Sequence, residues 1–153
     1  LILILFLIRL ASPKEIDDVT PEIPCNGGYL EKSEVLWVIP KFDNISIAEN
    51  QSWCSYILGL NKTLGMHGVM HTYDEFGIDR NNEYLYEGIK IFEDCFGFRP
   101  ERFKPPQLNI SENNKMLIKN NNLELKMNFN QLTHKVYHCD DSDIIKNEVI
   151  DWF

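Results

Sequence analysis

The hydrophobic positions of this chain change their spacing repeatedly, which predicts strands that alternate with helices. The segment VLWVIPKF at 35–42 is a short apolar run of β-branched and aromatic residues that is broken by Pro40, as expected of a buried strand. Residues 82–96 carry an apolar stripe at helical spacing and are followed by a glycine in the C-cap position; the stripe consists of Leu85, Ile89, Phe92 and Phe96. This segment is the clearest predicted helix.

Shorter patterns extend the alternation to the end of the chain. The further predicted elements are a helix within 46–60, a strand at 63–67, a helix capped by Ser111 that exits at 120–122, strands at 123–127 and 134–138, and a C-terminal helix capped by Asp141 and Ser142. This order of elements indicates a parallel sheet with helices outside it, either open or closed into a barrel.

The first eight residues, LILILFLI, are wholly apolar and are followed by Arg9. The run resembles the hydrophobic region of a signal peptide and is too short to span a bilayer, but a buried strand would show the same pattern. We therefore treat residues 1–13 as a signal or anchor remnant or a buried strand, and residues 14–153 as one domain. Secretion, a membrane tether through residues 1–8 and a cytoplasmic location all stay open, as does the oligomeric state.

Composition narrows the choice of partners. The chain has 153 residues, 44% of them hydrophobic, and a formal net charge of −8. That charge repels polyanions, so nucleic acid and anionic membrane surfaces are poor partners, whereas a neutral or cationic substrate fits. The cysteines are widely spaced and form no C-x-x-C pair, so buried thiols are preferred at Cys25, Cys54, Cys95 and Cys139, and disulfides stay open.

Unusual polar residues fall where several predicted strands end. Asp17 and Asp18 close a possible first strand, while His67 and His138 each end a later one. In parallel α/β sheets, sites form outside the carboxyl ends of the strands, where the loops are free to carry chemistry. An aspartate with His67 and His71 is also the ligand set of a catalytic zinc site, in which three protein groups leave one position open.

Four segments together resemble the polysaccharide deacetylase superfamily, the carbohydrate esterases that remove acetyl groups from amino sugars. In the order of the family's motifs, they are IDDVTP at 16–21, HGVMH at 67–71, FKPP at 103–106 and VYHCD at 136–140. The resemblance covers residues 15–138. Because the chain is shorter than typical members, it implies an α/β fold with an incomplete, distorted (β/α) barrel of about seven or fewer parallel strands.

Carried over position by position, the resemblance implies a metal-dependent hydrolase that removes an acetyl group from an N-acetylated sugar or a related amide. Asp17 would be the general base and His138 the general acid, and a divalent metal, preferably zinc, would be bound by Asp18, His67 and His71. The metal would activate water while the aspartate takes a proton and the histidine protonates the departing amine. Chitin oligomers, peptidoglycan and other N-acylated sugars all satisfy these motifs, so the substrate stays open.

Two positions depart from the family's pattern. Gly68 stands where the family usually has Ser or Thr, and Phe103 stands where an arginine usually orients the base, with Arg99 and Arg102 as candidate substitutes. These departures keep a second function open, namely a catalytically silent carbohydrate-binding or structural module with the same fold.

Three further assignments depend on the fold. His134 competes with His138 for the role of acid, but four residues of strand would place it roughly 13 Å away, so His138 is preferred. Glu75 and Asp74 are either partners that fix the tautomer of a histidine or solvated loop acids. Trp37 is predicted to be a core residue and not a platform for a sugar ring.

Overall fold

Six parallel strands form the central sheet of the computed structural model, which describes residues 2–128, 130–141 and 144–152. The strands found among these residues are β1 (Glu15–Val19), β2 (Val35–Val38), β3 (Lys41–Phe42), β4 (Ile45–Ser46), β5 (Thr63–His67), β6 (Arg102–Lys104), β7 (Glu124–Leu125) and β8 (Val136–His138). The order in the sheet is β7-β6-β5-β2-β1-β8, and β3 pairs with β4 in a separate antiparallel hairpin.

The helices found among the described residues are α1 (Ile2–Ala11), α2 (Gly27–Lys32), α3 (Gln51–Gly59), α4 (Asn82–Phe96), α5 (Glu112–Asn120) and α6 (Asn147–Trp152). The helices α4 and α5 begin and end close to the predicted signals, whereas α2 was not predicted. Gly97 ends α4 with a φ of 79°, and the Ser111 side chain caps α5 by accepting a hydrogen bond from the Asn114 backbone. Both predictions are therefore confirmed. The helix expected within 46–60 is divided into a 3-10 turn at Ile47–Glu49 and α3.

The sheet curls around a shared interior. Lys104 of β6 reaches two residues of β1, with its Nζ 3.3 Å from Glu15 Oε2 and 2.8 Å from Asp17 Oδ1, although β5 and β2 lie between these strands. Trp37 is buried in this interior and donates from Nε1 to Glu15 Oε2 at 2.8 Å. A Cβ at Gly65 would lie 2.4 Å from the Trp37 ring, so only glycine fits beneath it. The fold is an open, distorted (β/α) barrel of six strands, and Trp37 belongs to its core, as predicted.

Residues 2–11 form α1, so the alternative of a buried strand is wrong. An apolar run fits a helix and a strand equally well, and the position beside β1 is taken by β8. Arg9 is buried and donates to the backbone oxygens of Gln131 and His134 at 2.6 and 3.0 Å. The helix otherwise exposes large side chains, 42–68% of their surface, at Leu3, Ile4, Phe6, Leu7, Ile8 and Leu10. Within the described ranges, no helix is both long and apolar enough to cross a membrane.

The cysteines form two disulfides, Cys25–Cys139 and Cys54–Cys95, so the prediction of buried thiols is wrong. The paired Cα atoms are 4.3 and 5.4 Å apart, although 114 and 41 residues separate them along the chain. Spacing along the sequence does not reveal such pairs, because the folding of distant segments brings them together.

The C-terminal elements are shorter than predicted. β8 begins at Val136, so His134 lies outside the strand expected at 134–138, and its carbonyl is bound by Arg9. α6 begins at Asn147, whose backbone N donates to Asp141 Oδ1 at 2.7 Å. Asp141 thus contacts the first residue of the helix from six positions before it and is not the adjacent N-cap that was predicted. Ser142, the other predicted cap, lies outside the described residues.

Candidate active site

The carboxyl ends of β1, β5 and β8 meet at one rim of the barrel and surround a cavity of about 390 Å³. Asp17, Asp18, His67 and His138 line this cavity, together with His71 from the loop after β5. The structure thus brings together all five residues that the sequence nominated. It does so because parallel strands deliver their last side chains to the same edge.

A bulge in β1 allows two adjacent aspartates to share the cavity. Neighbouring side chains of a regular strand point to opposite faces. Here the Asp18 backbone is left-handed, with a φ of 64°, and the pairing of β1 with β2 changes register between Ile16 and Val19. The break turns Asp18 toward the side on which Asp17 lies.

Asp18, His67 and His71 form a group in which one potential ligand atom of each residue lies within 4.8 Å of the others. Asp18 Oδ1 is 2.9 Å from His71 Nε2 and 3.6 Å from His67 Nε2. This oxygen is buried and accepts no well-aligned hydrogen bond from any part of the chain that the structure describes. His67 Nδ1 donates to the Lys104 carbonyl at 3.0 Å, which turns its Nε2 toward the cavity. A carboxylate oxygen and two imidazole nitrogens in this arrangement fit a divalent metal ion.

The electrostatics favour the metal-binding form of two of the three residues at neutral pH, namely Asp18 and His67. Burial lowers the pKa of His67 to about 4, although Asp17 and Asp18 oppose this shift, so the imidazole is neutral. Burial would raise the pKa of Asp18, but His71, His67 and His138 lower it to about 2, so the carboxylate is charged. For His71, burial lowers the pKa, yet the contact with Asp18 outweighs it and leaves the pKa above its ordinary value.

Asp17 lies between the metal group and His138. Its Oδ2 is 3.8 Å from His67 Nε2 and 3.7 Å from His138 Nε2, and its Oδ1 accepts the hydrogen bond from Lys104 at 2.8 Å. Sequence reasoning missed Lys104, which is fully buried. The signal was present: a lysine in a buried strand must have an anionic partner, because an unpaired buried ammonium is too costly.

Neither Phe103, which stands in place of the family's arginine, nor the two candidate substitutes Arg99 and Arg102 contact Asp17. Phe103 packs on the opposite side, with its ring centroid 4.7 Å from that of Phe76. Arg99 donates to the Asn121 carbonyl at 3.3 Å, and Arg102 lies 3.7 Å from Glu124. Arg99 and Arg102 are therefore wrong as substitutes, and the cation beside Asp17 is the lysine that immediately precedes the two prolines of FKPP.

The two competing histidines occupy different environments. His138 lines the cavity, and its backbone N–H and C=O are both bound by the Asn147 side chain, at 3.0 and 2.8 Å. His134 lies outside the cavity lining, with Nδ1 2.9 Å from Thr133 Oγ1. The geometry is therefore consistent with the preference for His138.

Glu75 fits neither of the two alternatives, whereas Asp74 fits that of a loop acid. Glu75 is completely buried, but its carboxylate binds backbone N–H groups of residues 69–71 and contacts no imidazole by hydrogen bonding in the described parts of the chain. Asp74 is partly exposed and accepts from the Asn109 side chain, while its backbone N donates to Gln107 Oε1. Neither acid fixes a histidine tautomer; the Lys104 carbonyl does so for His67.

No family model and no curated protein matches this sequence. Solved structures do match. A peptidoglycan N-acetylglucosamine deacetylase superposes with a TM-score of 0.57 and 13% identity, over 74% of this chain and 54% of that protein. A family 4 carbohydrate esterase from Streptomyces lividans, solved with acetate, gives a TM-score of 0.57 and 10% identity, over 74% of this chain and 60% of the esterase.

A third match is a mutant of a CE4 family pseudoenzyme from Bacillus anthracis, with a TM-score of 0.53 and 11% identity, over 74% of this chain and 42% of the pseudoenzyme. The chain therefore has the fold of the CE4 polysaccharide deacetylases. It spans 42–60% of the length of these three proteins. Proteins of this fold include both deacetylases and a pseudoenzyme, so the fold alone does not decide activity.

Proposed function

We propose that this chain, with its CE4 polysaccharide deacetylase fold, is a metal-dependent hydrolase that removes an acetyl group from an N-acetylated sugar or a related amide. One observation carries the proposal: Asp17 lies 3.7 Å from His138 and 3.8 Å from His67, so a base, an acid and the metal-binding group share one cavity. The relatives described as a peptidoglycan N-acetylglucosamine deacetylase and as a carbohydrate esterase with acetate support this substrate class.

Asp18, His67 and His71 would hold the ion, and zinc suits one carboxylate with two imidazoles. A bound ion would act as a Lewis acid, which lowers the pKa of water and polarises the carbonyl of the substrate. The protein contributes a charged Asp18 and a neutral His67, which are the forms that coordinate a cation.

The remaining residues move protons. Asp17 is the base that removes a proton from the attacking water, and its hydrogen bond from Lys104 fixes the carboxylate in the cavity. His138 stands on the other side of Asp17 Oδ2 and protonates the departing amine. The amide C–N bond breaks as the amine takes that proton, and acetate is released.

The second candidate is a catalytically silent module that binds a carbohydrate or has a structural role. The pseudoenzyme of the same fold supports it, as does the replacement of the usual arginine beside the base. The contact of Lys104 with Asp17 supports the enzyme, because it provides the base with a buried cation. Both functions retain the metal-binding group, so they differ in turnover and not in metal content.

One experiment separates the two functions. The purified protein is analysed for metal and then tested for acetate release from N-acetylated sugars, including chitin oligomers and peptidoglycan fragments. We expect zinc in the protein, loss of zinc in His67→Ala and His71→Ala, and retained zinc with turnover reduced roughly 10²–10⁴-fold in Asp17→Asn. Zinc without acetate release would favour the silent module, and absence of bound metal would overturn the proposed site.

The charge, the disulfides and the first helix bear on the partners and the location of the protein. A net charge of −8 disfavours nucleic acid and fits a neutral sugar. The two disulfides support an oxidising compartment. The exposed apolar side chains of α1 support a membrane tether through residues 1–8.

A further inference from the structure

The loop that carries His71 is bound by a single buried carboxylate. Glu75 Oε1 accepts hydrogen bonds from the backbone N of Val69 at 3.0 Å and of Met70 at 2.7 Å, and Oε2 accepts one from the backbone N of His71 at 3.1 Å. Tyr84 donates its hydroxyl to Oε1 as well. Three consecutive N–H groups thus converge on one anion, which is a strong arrangement because each bond is charge-assisted.

The contact with His71 N stabilises a backbone that would otherwise be unfavourable. His71 has a φ of 58°, in the left-handed region that a residue with a Cβ rarely adopts. Its Nε2 nevertheless lies 2.9 Å from Asp18 Oδ1, within the metal-binding group. The loop conformation therefore sets the position of this ligand, and Glu75 is the group that holds the loop.

Gly68 is matched to this carboxylate. Its φ is 67°, and a Cβ added there would lie 2.1 Å from Glu75 Oε2 and 2.7 Å from Pro106 Cγ. Oε2 is the oxygen that accepts from His71 N. The Glu75 carboxylate therefore leaves no room for a side chain at position 68. This explains why glycine replaces the family's usual Ser or Thr there.

We infer that Glu75 is a positioning residue for His71, which holds this ligand in its metal-binding place before the ion arrives. The inference rests on the proposed metal site. Glu75 has no hydrogen bond to a ligand side chain within the described ranges; it acts through the backbone of the loop. The loop requires a carboxylate at position 75, because a neutral amide of the same shape cannot accept hydrogen bonds from all three backbone N–H groups.

Glu75→Gln removes the charge of the carboxylate and, with it, the bond to His71. The glutamine oxygen takes the place of Oε1, where two backbone N–H groups and the Tyr84 hydroxyl converge. Its NH₂ group then faces the N–H of His71, donor against donor, and this bond is lost. Tyr84→Phe is the matched control, because it removes a hydrogen bond from the same carboxylate and leaves all three backbone bonds intact.

The test measures zinc affinity by titrating the metal-free proteins with Zn²⁺ against a competing chelator. We expect Glu75→Gln to bind roughly 10- to 100-fold more weakly than the wild type, the usual scale for losing a group that orients a ligand, and Tyr84→Phe to stay within about threefold. Equal affinities for Glu75→Gln and the wild type would overturn the inference and leave the metal site standing. A wild type that binds no zinc would instead overturn the proposed site.

A second measurement uses the unmodified chain and does not depend on the folding of a variant. Hydrogen exchange of the metal-free wild type should show protected amides at Val69, Met70 and His71, because their acceptor is already in place without the ion. Rapid exchange at these amides until zinc is added would show that the metal, and not Glu75, orders the loop.

Discussion

At the scale of single residues, the site depends on giving two adjacent carboxylates different surroundings. Asp17 receives a hydrogen bond from a buried lysine, whereas Asp18 faces two imidazoles and has a pKa lowered to about 2. The difference originates in the left-handed backbone of Asp18, since a regular strand would send the two side chains apart. The irregular backbone at Asp18 therefore gives the proposed base and the proposed metal ligand different surroundings, although the two residues are adjacent.

The first prediction concerns the two histidines that competed for the role of acid. His138→Ala should reduce acetate release roughly 10²–10⁴-fold, the usual scale for a positioned acid, because His138 lies 3.7 Å from Asp17. His134→Ala should have a mild effect, since His134 does not line the cavity. Steady-state rates of the two variants check the prediction, and the reverse ranking would contradict it.

The second prediction concerns Lys104. Its ammonium is fully buried between Glu15 and Asp17, so Lys104→Met leaves two buried carboxylates without their cation. We expect the free energy of unfolding to fall by roughly 3–5 kcal/mol, measured by urea denaturation. Lys126→Met is a control, because Lys126 pairs with Glu124 on the surface and should change stability by less than about 1 kcal/mol. Similar losses in both variants would count against the special role of Lys104.

At this scale the sequence predicted which side chains share the cavity, but not what holds them. Asp17, Asp18, His67, His71 and His138 stand in short motifs, and strand polarity brings the motifs together. The contact of Lys104 with Asp17 joins positions 87 residues apart and depends on how far the sheet curls. The contact of Glu75 with the loop is local but uses backbone N–H groups, which carry no signature in the side-chain pattern.

At the scale of elements, β8 is an edge strand of only three residues, and it carries the proposed acid. One side of it pairs with β1, where Asp17 is opposite His138. On the other side the Asn147 side chain accepts from His138 N at 3.0 Å and donates to His138 O at 2.8 Å. A side-chain amide thus makes the two hydrogen bonds that a neighbouring strand would otherwise provide.

The third prediction concerns Asn147, whose side chain binds the free edge of β8. Asn147→Ala should reduce kcat by about tenfold or more with little change in KM, because the His138 backbone loses both bonds while the metal group is untouched. Zinc content should remain that of the wild type. A lower kcat together with lost zinc would indicate a general collapse of the site and contradict the prediction.

The helices show where the sequence pattern was sufficient at this scale. The bounds of α4 were predicted correctly because a wide apolar stripe ends at a glycine, and both signals are local. The apolar run at 1–8 could not be assigned from the sequence, because a run without polar residues has no period that separates a helix from a strand. β7 and β8 are shorter than predicted, because the length of a strand depends on pairing with a neighbouring strand, which the alternation of side chains does not show.

At the scale of the whole molecule, the C-terminal helix is joined to the barrel by charged contacts around Asp151. The Asp151 carboxylate accepts hydrogen bonds from the Lys32 ammonium and from the Tyr137 hydroxyl, the latter at 2.7 Å. Burial would raise the pKa of Asp151, but these two bonds outweigh it and leave the pKa below its ordinary value. A carboxyl group with a lowered pKa stabilises the folded state at any pH above the ordinary range of an aspartate.

The fourth prediction is the pH dependence of that contribution. At pH 7, Asp151→Asn should lower the free energy of unfolding by about 1 kcal/mol or less, because the side chain is 39% exposed and solvent screens the pair. The difference between variant and wild type should shrink as the pH falls below the ordinary range of an aspartate, because the folded wild type then takes up its proton. Urea denaturation of both proteins across this range measures it. A difference that grows toward low pH would have the wrong sign.

The Cys25–Cys139 disulfide closes a large covalent ring, because it joins two cysteines that are 114 positions apart along the chain. β1 and its two aspartates lie outside the ring, whereas His67, His71 and His138 lie inside it. In the chain-entropy model, closing so long a ring lowers the entropy of the unfolded chain and so raises its free energy by about 5 kcal/mol. This stabilises the folded state without any further contact in it. Cleavage of a peptide bond in any one loop of the ring would therefore leave a single covalent molecule, with its pieces still joined beside His138.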